Sequence, residues 1–210
     1  MISHPARNLA ALALTATLLA AGCGTPPWKE GASPSPSATT GSAEPSASIT
    51  PTPTPTPTSV QNDLAKGSSK RTLSAGAAEV KVTYWSTLDL QQWRPDVPKP
   101  LNVVASATLD GGAKGQNVYL SAVRVTSTAT GEDGTPKVLD PVDDTAEVKP
   151  GYLITKPSSY QQVFTLPVAA AGSTAMQITI TYELLIQSAP DSKTYLRQAT
   201  SDTFQVPLVS

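Results

Sequence analysis

The segment 176–186 reads MQITITYELLI and alternates apolar with polar side chains. The apolar positions are Met176, Ile178, Ile180, Tyr182, Leu184 and Ile186. Successive side chains of a β-strand point to opposite faces, so a period of two over this length is typical of an antiparallel strand that is buried on one face. This segment therefore predicts a β-sheet with one face packed in a core.

Similar alternation recurs through residues 76–210. Strands are predicted at 80–84, 101–109, 117–128, 160–168, 194–200 and 204–208. The Gly-rich segment 110–115 predicts a hairpin turn between two of them. No segment in this region has an amphipathic helical period longer than two turns. We predict an all-β fold, a single antiparallel immunoglobulin-like β-sandwich of seven or eight strands.

The composition upstream of this region is different. Ser, Thr, Pro, Ala and Gly dominate from Gly24 onward, and residues 51–58 read PTPTPTPT. Such a sequence has too little apolar surface to offset the entropy of ordering, and alternating Thr-Pro favours the extended polyproline II conformation. We therefore predict a disordered linker over residues 23–75, between residues 1–22 and a β-sandwich domain at 76–210.

Residues 1–22 have the pattern of an export signal. Arg7 precedes an unbroken run of Leu, Ala and Thr from Leu9 to Ala21, which suits a signal peptide and is short for a membrane span. The run ends in LLAAGC at residues 18–23, which resembles the lipobox of bacterial lipoproteins. The resemblance implies fatty acids such as palmitate on Cys23, and hence anchoring on the extracytoplasmic face of the cell membrane. The alternative is a secreted protein with a free Cys at that position.

The order of segments over residues 78–208 is similar to the telokin-like, immunoglobulin-type domains of bacterial lipoproteins. The resemblance rests on the rhythm of the strands and not on a diagnostic motif. The chain has one Cys, so it lacks the Cys pair of true immunoglobulin domains and can form no internal disulfide. The resemblance implies a fold and no particular activity.

Several catalytic chemistries are excluded by composition. His4 is the only His and belongs to the predicted signal peptide, while Cys23 is the only Cys. Ser-His-Asp triads and His-ligated zinc are therefore ruled out in the mature chain. The sequence contains no Ser-x-x-Lys, Gly-x-Ser-x-Gly, P-loop or dinucleotide-binding motif. We predict no catalytic residues and no cofactor.

Acidic residues cluster between 132 and 147. Asp140, Asp143 and Asp144 are candidate ligands of Ca²⁺, which prefers several carboxylate and carbonyl oxygens. A solvated acidic loop is the alternative, since the spacing matches no EF-hand and Gly and Pro are frequent. A pair of these carboxylates acting as a glycosidase acid and base is a third interpretation.

Three aromatic residues form a candidate binding surface. Tyr84 and Trp85 lie in a predicted strand, and Trp93 lies in the loop that follows it. If exposed, these rings would stack on the sugar rings of cell-wall glycan. If buried, they are large residues of a sandwich core.

The charge of the domain disfavours nucleic acid as a partner. Residues 76–210 contain 10 Lys and Arg against 13 Asp and Glu, with no basic stripe. We predict a monomeric, non-catalytic domain, tethered to the membrane by its lipid, that binds an unidentified envelope protein or glycan through a sheet edge or end loops. The alternatives are a carboxylate-dependent hydrolase of cell-wall glycan and a Ca²⁺-stabilised adhesin-like domain.

Overall fold

Two antiparallel β-sheets pack face to face in residues 60–209, the part of the chain that this computed structural model describes. The predicted signal peptide, Cys23 and the linker up to residue 59 lie outside the described residues. Within 60–209, no helix is long and apolar enough to cross a membrane. The prediction of an all-β fold with two antiparallel sheets is confirmed.

The described residues contain ten β-strands. In chain order they are β1 (Ser68–Ala75), β2 (Ala78–Trp85), β3 (Lys99–Leu109), β4 (Val118–Gly131), β5 (Pro136–Val138), β6 (Val142–Thr145), β7 (Tyr152–Leu153), β8 (Tyr160–Leu166), β9 (Ser173–Gln187) and β10 (Tyr195–Pro207). A short 3-10 turn at Leu90–Gln92 interrupts the β2–β3 connection. One sheet has the order β1-β2-β3-β8, and the other has the order β10-β9-β4 with β5, β6 and β7 along the far side of β4.

The strand predicted from 176–186 is confirmed as the middle of β9. It lies between β10 and β4, and its six alternating apolar side chains are all buried against the opposite sheet. A fully buried aliphatic side chain contributes roughly 1.5–3 kcal/mol by leaving water. This row of side chains therefore makes β9 the centre of the core.

An aromatic contact joins the two sheets. Tyr84 reaches in from β2 and Tyr182 from β9, and the Tyr182 hydroxyl donates a hydrogen bond to that of Tyr84 at 3.0 Å. The Tyr84 ring stacks on Phe204 of β10 with a centroid distance of 4.9 Å. Burial raises the pKa of both hydroxyls well above the ordinary value. The two phenols thus remain neutral and satisfy each other within the core.

A buried lysine stabilises the loop before β3. Lys99 is completely buried, and its Nζ donates to the carbonyl oxygens of Pro95 at 3.3 Å and Val97 at 2.5 Å. Burial lowers the pKa of this amine. The hydrogen bonds offset part of the cost of removing the amine from water and hold residues 95–99 as a closed turn.

The predicted boundary at residue 76 is wrong, because the fold begins further upstream. Strand β1 reads SSKRTLSA and pairs with β2 over its whole length. Before it, Leu64 is buried, and Asp63 holds β10 by donating its N–H to the Gln205 carbonyl at 3.0 Å and accepting the Gln205 N–H at 2.8 Å. Strand β1 lies at the edge of its sheet and contains a single large apolar residue, Leu73, so its composition is nearly that of a linker. Composition alone therefore cannot distinguish this edge strand from the linker before it.

The predicted hairpin between 101–109 and 117–128 is also wrong. The corresponding strands, β3 and β4, belong to different sheets, and the turn between them crosses from one sheet to the other. Alternation identifies the face of a strand that is buried but not its pairing partner. A hairpin within one sheet and a crossing between two sheets would bury the same side chains of these strands.

Two further predictions differ in detail. The acidic region was expected to form loops, but it contains β5 and β6, which pair with β4. The strands expected at 194–200 and 204–208 are one continuous strand, β10. The described residues therefore hold ten strands instead of seven or eight, because short edge strands carry too few residues to show a period.

Alkaline pH should destabilise the fold through the buried tyrosines. The ordinary pKa of tyrosine is about 10, and burial raises it for Tyr84 and Tyr182. Above about pH 10 the unfolded chain releases these protons while the folded chain retains them, so the free energy of unfolding falls as pH rises. The contribution of these two tyrosines to the free energy of unfolding is complete below about pH 10 and is lost as the pH rises above it. Denaturant titrations at about pH 8 and about pH 11 measure the difference.

The double variant Tyr84→Phe/Tyr182→Phe is the control for this effect. It removes both hydroxyls together, so neither is left unpaired, and its free energy of unfolding should fall less between the two pH values. A decrease equal to that of the wild type would show that other groups cause the alkaline loss.

Candidate functional site

Of the two interpretations of the candidate aromatic residues, burial in the core holds for two of the three. Tyr84 and Trp93 are completely buried, so both belong to the core. The Trp93 Nε1 donates to the Ser86 hydroxyl at 3.3 Å inside this packing. Trp85 alternates with Tyr84 on β2, so it lies on the outer face of the four-stranded sheet and is only partly buried. The three rings do not meet on one surface.

The three candidate calcium ligands do not converge on one point in the described residues. Asp143 and Asp144 are neighbours on β6, so their side chains point to opposite faces of the sheet. Asp144 accepts a hydrogen bond from the Tyr160 hydroxyl at 2.5 Å, while Asp143 binds an arginine on the other face. Asp140 lies exposed in the link before β6. Within residues 60–209, no three His, Cys, Asp or Glu side chains converge as metal ligands.

A different group of partly exposed aromatic and aliphatic side chains lies on the outer face of the six-stranded sheet. Leu153, Tyr119, Leu185 and Arg197 are cross-strand neighbours in one row across β7, β4, β9 and β10. Tyr195 packs edge-to-face on Tyr119, with ring centroids 5.9 Å apart. We call this group the aromatic ridge; its members are Tyr119, Tyr195, Leu153 and Leu185. All four retain exposed surface.

A polar groove runs beside the aromatic ridge. The next row across the sheet is made of Ala199, Glu183, Ala122 and Thr145, and the row after it of Ser201, Thr181, Arg124 and Asp143. Small side chains in the first of these rows leave a depression of about 440 Å³ between taller neighbours. Small-molecule sites usually have volumes of roughly 300–1,000 Å³. The depression, called the polar groove below, is therefore large enough for a sugar-sized ligand.

A β-bulge in β4 places the ridge and the groove on the same face. The pairing of β4 with β9 shifts between Leu120 and Ala122, and Ser121 is the extra residue. Its hydroxyl donates to the Glu183 carbonyl at 3.1 Å. In a regular strand Tyr119 and Arg124, which are five positions apart, would point to opposite faces. With the extra residue, both point outward.

Gly151 is required for this local geometry. A Cβ atom at this position would lie 2.5 Å from the Leu120 carbonyl oxygen and 2.9 Å from its carbon. The backbone that leads into β7 therefore approaches the bulge more closely than any side chain permits. This approach seats Leu153 beside Tyr119 in the ridge.

The charges in the groove differ in how they are paired. Arg124 donates to both carboxylate oxygens of Asp143, at 2.8 and 3.0 Å. These hydrogen bonds and the charge of Asp143 raise the pKa of the Arg124 guanidinium, with a smaller contribution from the charge of Glu183. In the described part of the chain, no ion pair involves Glu183 or Arg197. The groove thus holds one fixed charge pair and two charged groups that are accessible to a ligand.

The residues of this site were not identified from the sequence. Tyr119 stands between Val118 and Leu120, so three apolar residues in succession hide which of them points outward. Tyr195 lies at the start of β10, where too few residues precede it to show whether apolar and polar side chains alternate. A signal was nevertheless present, because Tyr119 is out of phase with the buried positions at 118 and 120. Its pairing with Tyr195 depends on the sheet register.

The site combines features of a binding surface for polar, ring-shaped ligands. Partly exposed tyrosine rings offer apolar surface, and the adjacent groove supplies carboxylate, guanidinium and hydroxyl groups for hydrogen bonds. Comparison of the chain with protein-family models and with curated proteins found no match. The geometry of the ridge and groove is therefore the basis for assigning a function.

Substituting Gly151 should destabilise the protein through the bulge. In Gly151→Ala the new methyl group clashes with the Leu120 carbonyl, and one of the two backbone segments must move. We expect a loss of about 1–3 kcal/mol in the free energy of unfolding, the usual range for overpacking. Denaturant titration measures it.

Gly112→Ala is a matched control for this prediction. Its Cβ would lie 2.6 Å from the Leu109 Cβ, so it introduces a comparable clash in a turn away from the groove. Both variants should lose stability, but only Gly151→Ala should change the near-ultraviolet circular dichroism of the Tyr119–Tyr195 pair. An unaltered free energy of unfolding in Gly151→Ala would contradict the close approach.

Proposed function

We propose that the chain is a non-catalytic, lipid-anchored module of the bacterial cell envelope that binds glycan on the outer face of its six-stranded sheet. The observation that carries the proposal is the edge-to-face pair of Tyr119 and Tyr195 beside the polar groove. Apolar surface that is rimmed by polar groups often marks a ligand-binding site, and the partly exposed rings border such a polar depression.

In this proposal the ridge binds the apolar face of a sugar and the groove binds its polar groups. A sugar ring lies with its apolar face on the Tyr119 ring, while its hydroxyl groups point into the groove. Thr145, Thr181 and Ser121 supply hydroxyls there, and the bidentate Arg124–Asp143 pair holds donors and acceptors in fixed positions. A few polar groups in fixed positions beside apolar rings are typical of ligand sites.

The N-terminal sequence supports the envelope location. The resemblance of residues 18–23 to a lipobox implies lipidation of Cys23, and two or more acyl chains hold a protein stably on a membrane. The Thr-Pro-rich linker up to residue 59 would reach on the order of 100 Å from the bilayer when extended, at about 3.1 Å per residue. A domain on such a tether can contact glycan beyond the lipid surface.

The fold is also proposed to be a sandwich of the immunoglobulin type. Support comes from two antiparallel sheets that share one aromatic core, and from the resemblance in strand order over 78–208. This type of fold carries binding sites on its sheet faces, edges and loops, and it implies no chemistry of its own.

A binding role is favoured over hydrolysis by the state of the carboxylates in the groove. A glycosidase needs one carboxyl group that stays protonated and a second one that acts as base or nucleophile. Both carboxylate oxygens of Asp143 already accept hydrogen bonds from Arg124. Glu183 is the other carboxylate that lines the groove, so the groove offers one unpaired carboxylate where the reaction needs two.

Loss of the two tyrosine rings should abolish most glycan binding. The full chain, purified in detergent, is sedimented with insoluble bacterial cell-wall glycan, and the bound fraction is measured against glycan concentration. An aromatic contact contributes about 1 kcal/mol, so Tyr119→Ala/Tyr195→Ala should weaken binding by about thirtyfold. Trp85→Ala, which removes a ring from the outer face of the other sheet, should leave binding unchanged.

Equal sedimentation of wild type and double variant would rule out the ridge as the binding surface, as would absence of sedimentation by the wild type. Reducing ends are assayed in the same samples. Their release by the wild type, and its loss in Glu183→Gln, would assign the groove to a hydrolase instead.

The lipid anchor is tested separately. Cys23→Ser removes the sulfur that would carry the diacylglycerol, so the protein should leave the membrane fraction and appear in the soluble fraction. Ser33→Ala, a change of similar size in the same region, is the control and should stay with the membrane. Membrane retention of Cys23→Ser would contradict lipidation as the means of anchoring.

A further inference from the structure

The two accessible charges lie at different positions along the groove. Arg197 is opposite Leu185 on the neighbouring strand, whereas Glu183 is opposite Ala199. Two residues on one strand separate these rows, which corresponds to about 7 Å at the usual rise of a β-strand. Arg197 is therefore beside the aromatic ridge, and Glu183 is one row further into the groove.

The groove is electrically polar as a result. At the inner end, Arg124 is paired with Asp143, and Glu183 adds a second carboxylate that has no ion pair in the described residues, which leaves an excess of one negative charge. At the ridge, Arg197 has no carboxylate within ion-pair distance in the described residues. A ligand lying along the groove meets a positive end beside the tyrosines and a negative end beyond them.

On the basis of the proposed glycan site, we propose that the groove selects a zwitterionic glycan, one that carries a carboxylate and a free amino group on the same or adjacent sugar units. The carboxylate binds Arg197, whose planar guanidinium can donate two parallel hydrogen bonds to it. The amino group binds the Glu183 carboxylate. The sugar ring next to the carboxylate stacks on the aromatic ridge, where Tyr195 lies two residues before Arg197 on β10.

Charge complementarity separates this ligand from its close relatives. A neutral glycan would cover Arg197 and Glu183 and strip water from them without replacing it by an opposite charge, which lowers affinity. A glycan with carboxylates alone would place like charge near Glu183, and one with amines alone would place like charge near Arg197. Only the zwitterionic form matches both ends.

The experiment uses one tetrasaccharide in four forms. Its parent alternates glucuronic acid with N-acetylglucosamine, and the other three forms are N-deacetylated, carboxyl-reduced, or both. Isothermal titration of each form into the full chain gives its Kd. The N-deacetylated form, which carries both charges, should bind at least tenfold more tightly than each of the others.

Two single variants assign the preference to its residues. Arg197→Gln should bind the zwitterionic and carboxyl-reduced amine forms equally, and Glu183→Gln should bind the zwitterionic and N-acetylated acid forms equally. Lys70→Gln and Glu79→Gln make the same charge changes on the four-stranded sheet and should keep the tenfold preference. Circular dichroism establishes that all four variants are folded.

The outcomes distinguish this proposal from the function on which it rests. Equal Kd values for the four forms, with binding still lost in Tyr119→Ala/Tyr195→Ala, would overturn the charge selection and leave glycan binding intact. Absence of binding to all four forms and to cell-wall glycan would overturn both. Equally tight binding of a zwitterionic tripeptide would assign the groove to peptide and overturn the proposal.

Discussion

The packing of the two sheets against each other is the constraint on which the rest of the molecule depends. A chain with one Cys can form no internal disulfide, so apolar burial must hold the fold. Tyr84 and Tyr182 meet at the centre of that interface, and their mutual hydrogen bond allows two phenols to be buried without leaving either hydroxyl unpaired. Because Tyr182 points inward, its neighbour Glu183 must point outward. The core thus determines which residues of β9 line the groove.

The groove also depends on one irregularity in an otherwise regular sheet. The bulge at Ser121 restores Arg124 to the face that Tyr119 occupies, and Gly151 allows the next segment of backbone to lie against it. A sheet without the bulge would bury the arginine or expose its apolar neighbours. Bulges are frequent next to functional sites for this reason, since one extra residue redirects every side chain beyond it. The site is therefore built from backbone geometry as much as from residue type.

Prediction from sequence succeeded where the physical signal is local and failed where it is not. The period of two along 176–186 is strong because every second side chain enters the core. The linker-like composition of Ser68–Ala75 concealed an edge strand, since only one of its faces meets the core. Asp143 and Asp144 are adjacent in the sequence and were candidates for binding the same ion. Both lie on β6, however, and adjacent side chains of a strand point to opposite faces of the sheet. Tyr84 is in phase with Val80 and Val82, which indicated its burial, whereas Trp93 lies in a loop where no period marks the buried side chains.

Strand period and residue inventory are properties of the chain alone, so the β-sheet character of the folded region and the absence of His and Cys from residues 60–209 could be read without a structure. The tertiary structure was needed to assign β3 and β4 to different sheets and to place Tyr119, Tyr195, Glu183 and Arg197 on one surface. Those relations join residues far apart in the chain. They follow from strand pairing and register, which are settled by the packing of the whole core and not by any single segment.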